Sequence, residues 1–260
     1  GLGMAGFNEA VVAKQVAEHL GTDHTELYLT HKEAMAVIPK MPQIYDEPFA
    51  DDSQIPTYLV SQLARKEVTV SLSGDGGDEF FGGYTQYRTA TSLWESLMRI
   101  PAPLRGGTQL AMQSTAPLLT ALPTSKLRRV GNSFQTRARY LKAGNPDSFY
   151  KSYRTQWEDS ERVVVFAEEL PYVLSQPETW VNTPDLVHRM MYADSVHYMP
   201  DSVLTKLDRA SMAVSLEGRN PLLDHRVYEF AWTLPLSMKI REGQGKWILR
   251  QLLYKYVPQS

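Results

Sequence analysis

The residues best suited to chemistry lie in one short stretch, residues 73–84, which reads Ser-Gly-Asp-Gly-Gly-Asp-Glu-Phe-Phe-Gly-Gly-Tyr. Glycine lets backbone N–H groups converge on an anion without interference from a Cβ atom, and it tolerates positive φ. Acidic side chains in the same loop would repel a bare phosphate, but they can hold a magnesium ion that lies between them and phosphate oxygens. The stretch therefore predicts a loop that binds phosphate together with Mg²⁺.

Two alternatives compete with this interpretation. An arbitrary Gly-Asp-Gly-Gly segment is more often a tight surface turn. This segment, however, follows the β-branched run 68–72 and continues into Phe80 and Phe81, which are too apolar for a wholly exposed turn. A calcium loop of the EF-hand type is excluded, because the acids at positions 75, 78 and 79 lack the alternate spacing and the distal Glu.

The hydrophobic pattern indicates the elements that must position this loop. We predict helices at residues 8–20, 32–40 and 54–66, the first with Asn8 as its N-cap and Gly21 as its stop. We predict a strand at 25–30 and a buried strand at 68–72. This order predicts a parallel α/β sheet, in which ligands bind outside the carboxyl ends of the strands. From about residue 85 onward the pattern is almost entirely helical.

The helical part also contains prolines, a basic cluster and large apolar residues whose positions predict local structure. Pro101, Pro103, Pro117 and Pro123 are predicted to break helices, and residues 106–125 are predicted to form a surface excursion. The basic cluster at 126–129 is interpreted as a solvated helix face. Met190, Met191, Tyr192 and Trp232 are predicted to be core residues rather than ligand contacts.

Composition restricts the class of protein. A net charge of -2 with 22% charged residues lacks the basic footprint of a nucleic-acid binder. No run approaches the roughly 18 apolar residues that span a membrane, and residues 1–6 do not resemble a signal peptide. The absence of cysteine excludes disulfides and thiolate sites, and the six histidines lack metal-ligand spacing. We expect a soluble, cytoplasmic protein.

Residues 73–84 resemble the second signature of the asparagine synthetase family, and three other stretches agree with that family in the expected order. These are Phe7-Asn8-Glu9-Ala10 with Leu20-Gly21-Thr22-Asp23-His24; Asp46-Glu47-Pro48-Phe49-Ala50-Asp51 with Ser53, Pro56 and Tyr58; and Asp208-Arg209-Ala210-Ser211-Met212 with Glu217, Arg219, Pro221, Leu223 and Asp224. The resemblance extends from residue 7 to about residue 256.

The resemblance implies a nucleotide-binding α/β fold of the pyrophosphatase-loop type, also described as adenine nucleotide alpha hydrolase-like. A parallel sheet carries a large helical remainder, and residues 1–260 form part of one synthetase domain, with an α/β portion at 1–90 and a mainly helical portion at 91–260. In this family ATP activates aspartate as an acyl-adenylate with release of pyrophosphate. Ammonia from glutamine then gives asparagine and AMP.

The resemblance also implies roles for individual residues. Ser73, Gly74 and Gly76 contact the nucleotide. Asp75 is the catalytic residue and occupies the acidic position beside the acyl-adenylate, and Asp78 faces Mg²⁺ and pyrophosphate. Asp208 and Arg209 face the carboxylate or amine of the substrate. The alternative for the late motif is that Asp208, Arg209, Glu217 and Arg219 form ion pairs that hold the structure together.

Three parts of the family pattern are absent from the sequence. These are the N-terminal glutaminase domain with its nucleophilic cysteine, the Ser-Gly-Gly-x-Asp-Ser pyrophosphate loop, and the Arg-x-Lys-x-Gly-Phe-like segment with the catalytic lysine. The chain is therefore expected to be a fragment, truncated at both ends, whose parent protein carries the glutaminase domain. Alone it is expected to have little or no activity and to expose a sheet edge.

The resemblance leaves the acceptor and the assembly open. A relative that closes a β-lactam or amidates a sugar acid shares the nucleotide half, so the motifs do not separate these ligases from an asparagine synthetase. A non-catalytic scaffold on a degenerate synthetase fold is the alternative from another class. A homodimer also remains open, whereas partners of the nucleic-acid and membrane classes are not expected.

Overall fold

The computed structural model describes residues 9–155, 165–166 and 170–259. The chain folds into two compact units. Gly1–Gly83 and Tyr198–Ser260 contribute to the first, and Tyr84–His197 form the second. Residues 73–83 of the predicted phosphate loop belong to the first unit. Asn8, the predicted N-cap, and most of the Phe7–Ala10 motif lie outside the described residues.

The first part of the chain is mainly helical. Its elements are α1 (Glu9–Leu20), α2 (His31–Val37), a 3₁₀ turn (Ile38–Lys40), α3 (Met41–Tyr45), α4 (Gln54–Ala64), β1 (Val70–Leu72) and α5 (Gly77–Phe81). The predicted helices at 8–20 and 54–66 and the strand at 68–72 are confirmed, with shorter bounds. The helix predicted at 32–40 corresponds to α2 and the 3₁₀ turn, and the chain then continues into α3. Pro42 does not prevent this, because it lies in the first turn of α3, where its missing N–H is not needed.

The second unit contains long helices. They are α6 (Thr85–Met98), α7 (Ala102–Ala121), α8 (Ser125–Leu141), α9 (Pro146–Arg154) and α10 (Leu186–Ala193), with 3₁₀ turns at Val173–Ser175 and Pro177–Thr179. Most of residues 106–125, predicted as a surface excursion, belong to the helix α7, and most residues of this helix are exposed. Pro117 lies inside α7 and does not break it.

The chain then returns to the first unit. A π-helix (Asp194–Leu204) leads into α11 (Thr205–Met212), β2 (Glu217–Arg219), a 3₁₀ turn (Pro221–Leu223), α12 (His225–Thr233), α13 (Leu236–Lys239) and α14 (Trp247–Leu253). The prediction that the chain is almost entirely helical beyond residue 85 therefore omits one strand. β2 contains Glu-Gly-Arg, with no β-branched residue, and its pairing rather than its propensity makes it a strand.

The sheet within the described residues consists of β1 and β2, which run parallel with Val70 opposite Glu217 and Leu72 opposite Arg219. A mixed, mainly helical protein with a small parallel sheet agrees with the predicted α/β class at that coarser level. β1 is less buried than predicted, since Leu72 is 73% exposed.

The strand predicted at 25–30 is wrong. Those residues belong to no strand or helix in the described chain. Their apolar alternation is a local signal, and a strand also needs a neighbouring strand whose N–H and C=O groups can pair with its own. The segment ends instead at Thr30, the N-cap of α2, where Thr30 and Glu33 form a capping box.

Two apolar clusters hold the first unit together. Val37, Tyr58 and Ala210 form one, with partly buried neighbours from α3 and α4. Phe80, Phe81 and Ala231 form the other, which packs α5 against α12 and α14. Each buried phenylalanine stabilises the fold by about 2–3 kcal/mol. Since Phe80 and Phe81 directly follow the glycine-rich loop, this second cluster fixes the end of the loop.

The core of the second unit is aromatic and sulfur-rich. Met190 and Met191, predicted as core residues, are fully buried on α10, as are Tyr87, Phe149 and Tyr150 on α6 and α9. Rings of α8 and α9 meet edge to face, as between Tyr140 and Phe149, whose centroids are 5.3 Å apart. The prediction of a core role for these methionines is confirmed.

Candidate phosphate-binding site

The glycine-rich loop begins where the two parallel strands end. The N–H of Ser73 donates to the carbonyl oxygen of Arg219 at 2.8 Å, which extends the pairing of β1 and β2 by one residue. The chain then leaves the sheet through Gly74 and Asp75 and enters α5 at Gly77. The loop therefore lies at the carboxyl ends of both strands, the position at which parallel sheets bind ligands.

Two glycines of the loop are required by its geometry. Gly76 has φ +91°, and a Cβ there would lie 2.6 Å from the Cδ2 of Leu223. At Gly83, a Cβ would lie 1.9 Å from the Oδ1 of Asp78, so that the carboxylate covers the bare Cα of this glycine. In contrast, nothing lies within 4 Å of a Cβ built on Gly74, whose backbone is open to a ligand.

The carboxylate of Asp78 forms an ion pair with a lysine from the last part of the chain. The Nζ of Lys246 lies 2.9 Å from the Oδ1 of Asp78, and both side chains are about one-third exposed, at 35% and 38%. The aliphatic stem of Lys246 passes over Gly77, where a Cβ would lie 4.0 Å from the Cδ of the lysine. A positive charge thus lies over the glycine-rich loop, beside one of its carboxylates.

A tight turn delivers Lys246 to this position. Arg241 and Gln244 exchange backbone hydrogen bonds of 2.9 and 2.8 Å across Glu242 and Gly243, both of which have positive φ. The turn places Gly245 so close to the loop that a Cβ would lie 2.3 Å from the carbonyl oxygen of Gly82.

Lys246 is held in this place by the backbone. Its N–H donates to the carbonyl oxygen of Phe81 at 3.0 Å, and it adopts φ +55° as the N-cap of α14. Left-handed backbone is uncommon for a residue other than glycine and is found preferentially where the surroundings enforce it. The backbone of Lys246 and its ion pair with Asp78 therefore both hold its side chain in place.

Asp75 is fixed by its own loop. The hydroxyl of Ser73 donates to its Oδ2 at 2.5 Å, which orients the carboxylate within the half-buried start of the loop. The second oxygen of Asp75, like the Oδ2 of Asp78, accepts no hydrogen bond from the described residues. One oxygen of each carboxylate is therefore available to a ligand or a metal ion.

The donor set fits a magnesium ion that is shared with phosphate. Mg²⁺ binds one or two carboxylates and completes its octahedron with phosphate oxygens and waters. Asp75 and Asp78 supply that number of carboxylates, whereas the described residues contain no group of three or more His, Cys, Asp or Glu side chains able to hold a metal on their own. The loop could hold Mg²⁺ only together with its phosphate ligand.

A broad cleft adjoins the ends of the strands. Its volume is about 960 Å³, and its walls come from the last residues of both strands and from the segment that follows β2: Leu72, Arg219, Asn220, Pro221, Leu223, Asp224, Arg226, Val227 and Phe230. Leu223 also contacts the loop at Gly76. The guanidinium of Arg226 donates to both oxygens of Asp224 and lowers the pKa of that carboxyl. The cleft is large enough for a nucleotide-sized ligand.

The acidic loop before α4 is tied to α11. Asp51 accepts from the N–H of Ser53 at 2.9 Å, and the Nζ of Lys206 lies 3.3 Å from its Oδ2. Burial by itself would raise the pKa of Asp51, but the hydrogen bonds from Ser53 and the charge of Lys206 lower it overall. Asp51 is therefore an anion with a fixed lysine partner.

Asp208 and Arg209 lie on α11, and the structure does not link them to the glycine-rich loop. Arg209 donates to the carbonyl oxygen of Tyr45 and lies 3.5 Å from the Oδ2 of Asp46. Asp208 is exposed. These contacts of Arg209 are of the kind that the ion-pair alternative describes, while Glu217 and Arg219 form a local, exposed pair at 2.8 Å on β2. A substrate role for Asp208 and Arg209 stays a prediction.

Sequence reasoning missed two lysines, Lys246 and Lys206. The lysine expected near a phosphate loop was sought in a segment that the sequence lacks, whereas the fold provides Lys246 from the turn before α14. Glu242 and Gly243 in a turn, followed by glycine and lysine at the start of a helix, are the signal that could have indicated it. Nothing local to Lys206 indicates its contact with Asp51.

The two parallel strands and the helices around them define a mainly helical α/β protein, whose candidate site is the glycine-rich loop with the Asp78–Lys246 pair. The family model described as asparagine synthase matches residues 1–260. The chain belongs to this family.

Three curated relatives support the assignment. The chain is 33% identical over 261 residues to asparagine synthetase (glutamine-hydrolyzing) 1 of Bacillus subtilis (strain 168), covering 100% of this chain and 39% of the relative. It is 34% identical to the putative asparagine synthetase (glutamine-hydrolyzing) of Mycobacterium bovis, covering 97% and 37%. A putative asparagine synthetase (glutamine-hydrolyzing) 2 of Methanocaldococcus jannaschii is 32% identical over 212 residues, covering 79% and 38%. The chain thus spans about two fifths of the length of these relatives.

No helix in the described part of the chain is both long and apolar enough to cross a membrane.

Proposed function

We propose that the protein containing this chain is an ATP-dependent carbon–nitrogen ligase that converts aspartate to asparagine. The observation that carries the proposal is the Asp78–Lys246 pair, which lies over a glycine-rich loop at the carboxyl ends of two parallel strands. A site that binds a nucleotide phosphate needs backbone N–H donors, a positively charged group and carboxylates that can hold Mg²⁺. The names of the relatives supply the reaction, since each is described as an asparagine synthetase.

In the proposed reaction, an oxygen of the aspartate side-chain carboxylate attacks the α-phosphorus of ATP. The bond between the α-phosphorus and its bridging oxygen breaks, and pyrophosphate leaves. Ammonia then attacks the activated carbonyl carbon, loses a proton, and displaces AMP. Negative charge builds up on the leaving pyrophosphate, so fixed positive groups lower the barrier of the first step.

The residues of the loop have separate parts in this proposal. Ser73, Gly74 and Gly76 face the nucleotide with their backbone, and Lys246 stabilises the charge that develops on pyrophosphate. Asp78 orients the ammonium group of Lys246 at 2.9 Å and offers its second oxygen to Mg²⁺. Asp75, oriented by Ser73, lies beside the aspartyl adenylate. Bound Mg²⁺ would supply charge neutralisation between the phosphates and the carboxylates.

The remaining parts of the proposed enzyme come from the rest of its chain. The relatives are described as glutamine-hydrolyzing, and this chain spans about two fifths of their length. We assign residues 1–260 to one synthetase domain, with an α/β portion at 1–90 and a mainly helical portion at 91–260. A glutaminase domain of the same parent chain would release ammonia from glutamine and deliver it to this site.

The test uses the purified protein that contains this chain within its complete sequence. AMP and pyrophosphate are measured with ATP, Mg²⁺ and either glutamine or ammonium chloride, in the presence and absence of aspartate. The proposal expects AMP, pyrophosphate and asparagine to appear in equal amounts, and only with aspartate. It is contradicted if ATP is consumed without aspartate dependence.

The same assay separates the related ligases. Replacing aspartate by a sugar acid or by a β-amino acid that could close to a β-lactam identifies a different acceptor if AMP forms only with that acid. The absence of AMP formation with every acid, together with unaltered folding, would favour a scaffold without catalytic activity.

A further inference from the structure

Helix α7 turns an uncharged face to solvent. Three of its leucines, Leu104, Leu110 and Leu118, are 60%, 65% and 69% exposed. The single charged residue of the helix is Arg105, whose guanidinium donates to two carbonyl oxygens of the preceding chain. A surface helix of a globular protein normally carries charged side chains on the face that points away from the core. Packing within this unit therefore does not explain the exposed leucines of α7.

The spacing of residues along α7 separates this face from the side that packs on α8. Leu104, Ala111 and Leu118 recur every seven residues and so share one side of the helix. Ala116 is buried, and its carbonyl oxygen would lie 2.8 Å from a Cβ on Gly131 of α8. Single exposed leucines are common on protein surfaces, whereas several on one side of a helix form a patch. α7 thus packs on α8 through one side and exposes an apolar side.

Positive charge lies beside this patch, at the turn of the hairpin that α7 and α8 form. We call residues 117–130 the hairpin tip, and residues 121–130 within it are all exposed. The tip contains Lys126, Arg128 and Arg129, and the whole stretch 96–146 contains no Asp or Glu. The side chains of these three residues form no hydrogen bond or ion pair with the described part of the chain. The tip is therefore convex, apolar and positively charged.

Helix stability does not account for these cations. All three lie in the first two turns of α8, where the amino end of the helix carries about half a positive charge and makes cations slightly unfavourable. The rest of the chain is not basic either. Residues 96–146 carry eight positive charges and the whole chain has a net charge of -2, so the remaining residues carry a net charge of about -10. Such segregation of charge indicates a surface that attracts anions.

The combination of leucines and cations restricts the kind of partner. An acidic peptide would neutralise the charges but leave the exposed leucines in water. A bilayer that contains anionic lipids has negative headgroups directly above a hydrocarbon layer, and it therefore matches both features. A fluid lipid surface also adapts to a convex tip, whereas a protein partner needs a complementary shape.

We propose that the hairpin tip and the adjoining face of α7 dock the protein on a membrane surface that contains anionic lipids. Leu110 and Leu118 enter the boundary between headgroups and acyl chains, while Lys126, Arg128 and Arg129 contact lipid phosphates. α7 lies in this surface and does not span it, since no described helix is long and apolar enough to cross a membrane. The proposal differs from the expectation, drawn from the sequence, that membranes are not among the partners.

The test is sedimentation of the complete protein that contains this chain with vesicles of phosphatidylcholine, alone or mixed with phosphatidylglycerol. The variant K126Q/R128Q/R129Q removes the charge of the tip, and K14Q/K32Q/K66Q is the matched control at exposed positions of the first unit. The variant L110Q/L118Q removes the two most exposed leucines of α7. Its control is M35Q/V60Q, which replaces side chains that are 65% and 51% exposed outside the hairpin.

The proposal expects binding to the mixed vesicles and not to phosphatidylcholine alone, and a decrease in binding as salt is raised. Each hairpin variant should weaken binding roughly tenfold or more, because the charges and the buried leucines both contribute. Each control should change binding less than about twofold. Circular dichroism of each variant verifies that the fold is retained.

The proposal is overturned if the mixed vesicles do not bind the protein, or if the controls weaken binding as much as the hairpin variants. It is also overturned if the charge variant alone weakens binding, because the leucines then do not enter the lipid. A change of oligomeric state in L110Q/L118Q with unaltered vesicle binding, measured by sedimentation velocity, would instead assign the apolar face to a contact between copies of the protein.

Discussion

Lys246 contacts Asp78 through Nζ and Oδ1 at 2.9 Å, although the two residues come from the two separate segments that make up the first unit. The contact places a cation beside the acidic, glycine-rich loop. It also reduces the repulsion that the carboxylate would exert on a phosphate. This contact therefore supports the proposal that an acidic loop binds phosphate.

Removal of the cation should impair the chemical step. In the full-length protein, Lys246→Gln is expected to lower kcat for aspartate-dependent AMP formation by roughly 100-fold, because one fixed charge at a developing anion stabilises it by about 3 kcal/mol. Steady-state kinetics measure the effect. Lys255→Gln, at an exposed position of the same segment, is the control. An unchanged kcat for K246Q would remove Lys246 from the mechanism.

The close approach of Gly245 to the loop gives a prediction about stability. A Cβ on Gly245 would lie 2.3 Å from the carbonyl oxygen of Gly82, so Gly245→Ala requires the backbone to move. We expect a loss of about 2–4 kcal/mol in the free energy of unfolding, measured by urea denaturation. Loss of the Asp78–Lys246 contact should accompany it.

Gly106 is the matched control for that substitution. It lies within α7, and nothing is found within 4 Å of a Cβ built there. Gly106→Ala is therefore expected to stabilise the protein by about 0.5–1 kcal/mol, since alanine is the better helix former. Equal effects of the two substitutions would contradict the proposed crowding at Gly245.

The sequence indicated the loop of the candidate site but not the cation that lies beside it. Residues 73–84 combine a strand end, glycines and carboxylates within one local pattern, so composition and spacing were sufficient. Lys246 reaches the same place only because the turn at Glu242 and Gly243 folds back onto Gly82. Contacts between distant segments depend on tertiary packing, which no window of a single sequence contains.

The fold shows the same division between local and distant signals. The helices at residues 9–20 and 54–64 follow their apolar periodicity, and so does β1. β2 lacks a β-branched residue and is a strand only because it pairs with β1. Residues 25–30 show the opposite case. Their apolar residues alternate as in a strand, but the described chain provides no neighbouring strand with which they pair. Pro117 is accommodated within the long helix α7, which packs against α8.

Lys239 predicts an unusual pH dependence of stability. It is fully buried at the end of α13, its Nζ has no hydrogen-bond partner among the described residues, and it lies 4.8 Å from the centre of the Trp232 ring. Burial lowers its pKa from 10.5 to about 8. Between these values the unfolded state binds more protons than the folded state, so this group makes stability increase as pH rises from 8 to 10.5.

Replacing this lysine by an apolar side chain should remove that dependence. Lys239→Met is expected to raise the free energy of unfolding at pH 7 by about 1–3 kcal/mol, because it removes a buried charge that has no ionic partner among the described residues. Urea denaturation at pH 7, 8 and 9.5 measures both effects. Lys255→Met provides the exposed comparison. A destabilised K239M protein would instead indicate that the ammonium group has an essential partner.

Asp194 gives the last prediction, for the second unit. Its buried carboxylate accepts hydrogen bonds from the hydroxyl of Tyr150 at 2.7 Å, the hydroxyl of Tyr87 at 3.0 Å and the amide of Gln86 at 3.1 Å, and the Nε of Arg154 lies 3.6 Å away. Asp194→Asn keeps the shape but replaces one acceptor oxygen by a donor. It also leaves Arg154 without this anion. We expect a loss of about 2–4 kcal/mol at pH 7, measured by urea denaturation.

The pH dependence of this loss separates the contribution of the charge on Asp194 from the contribution of its shape. Burial raises the pKa of Asp194, although Arg154 and the hydrogen bonds of Tyr150 and Tyr87 oppose the rise. Between the ordinary value of 3.8 and the raised value, the folded state binds more protons than the unfolded state. The wild-type protein therefore gains stability from this group as pH falls through that window, whereas D194N cannot. The difference in the free energy of unfolding between the wild type and D194N should increase from pH 7 towards pH 4. The exposed Asp23→Asn substitution is the control. A difference that vanishes in acid would show that the stabilisation comes from the charged pair with Arg154.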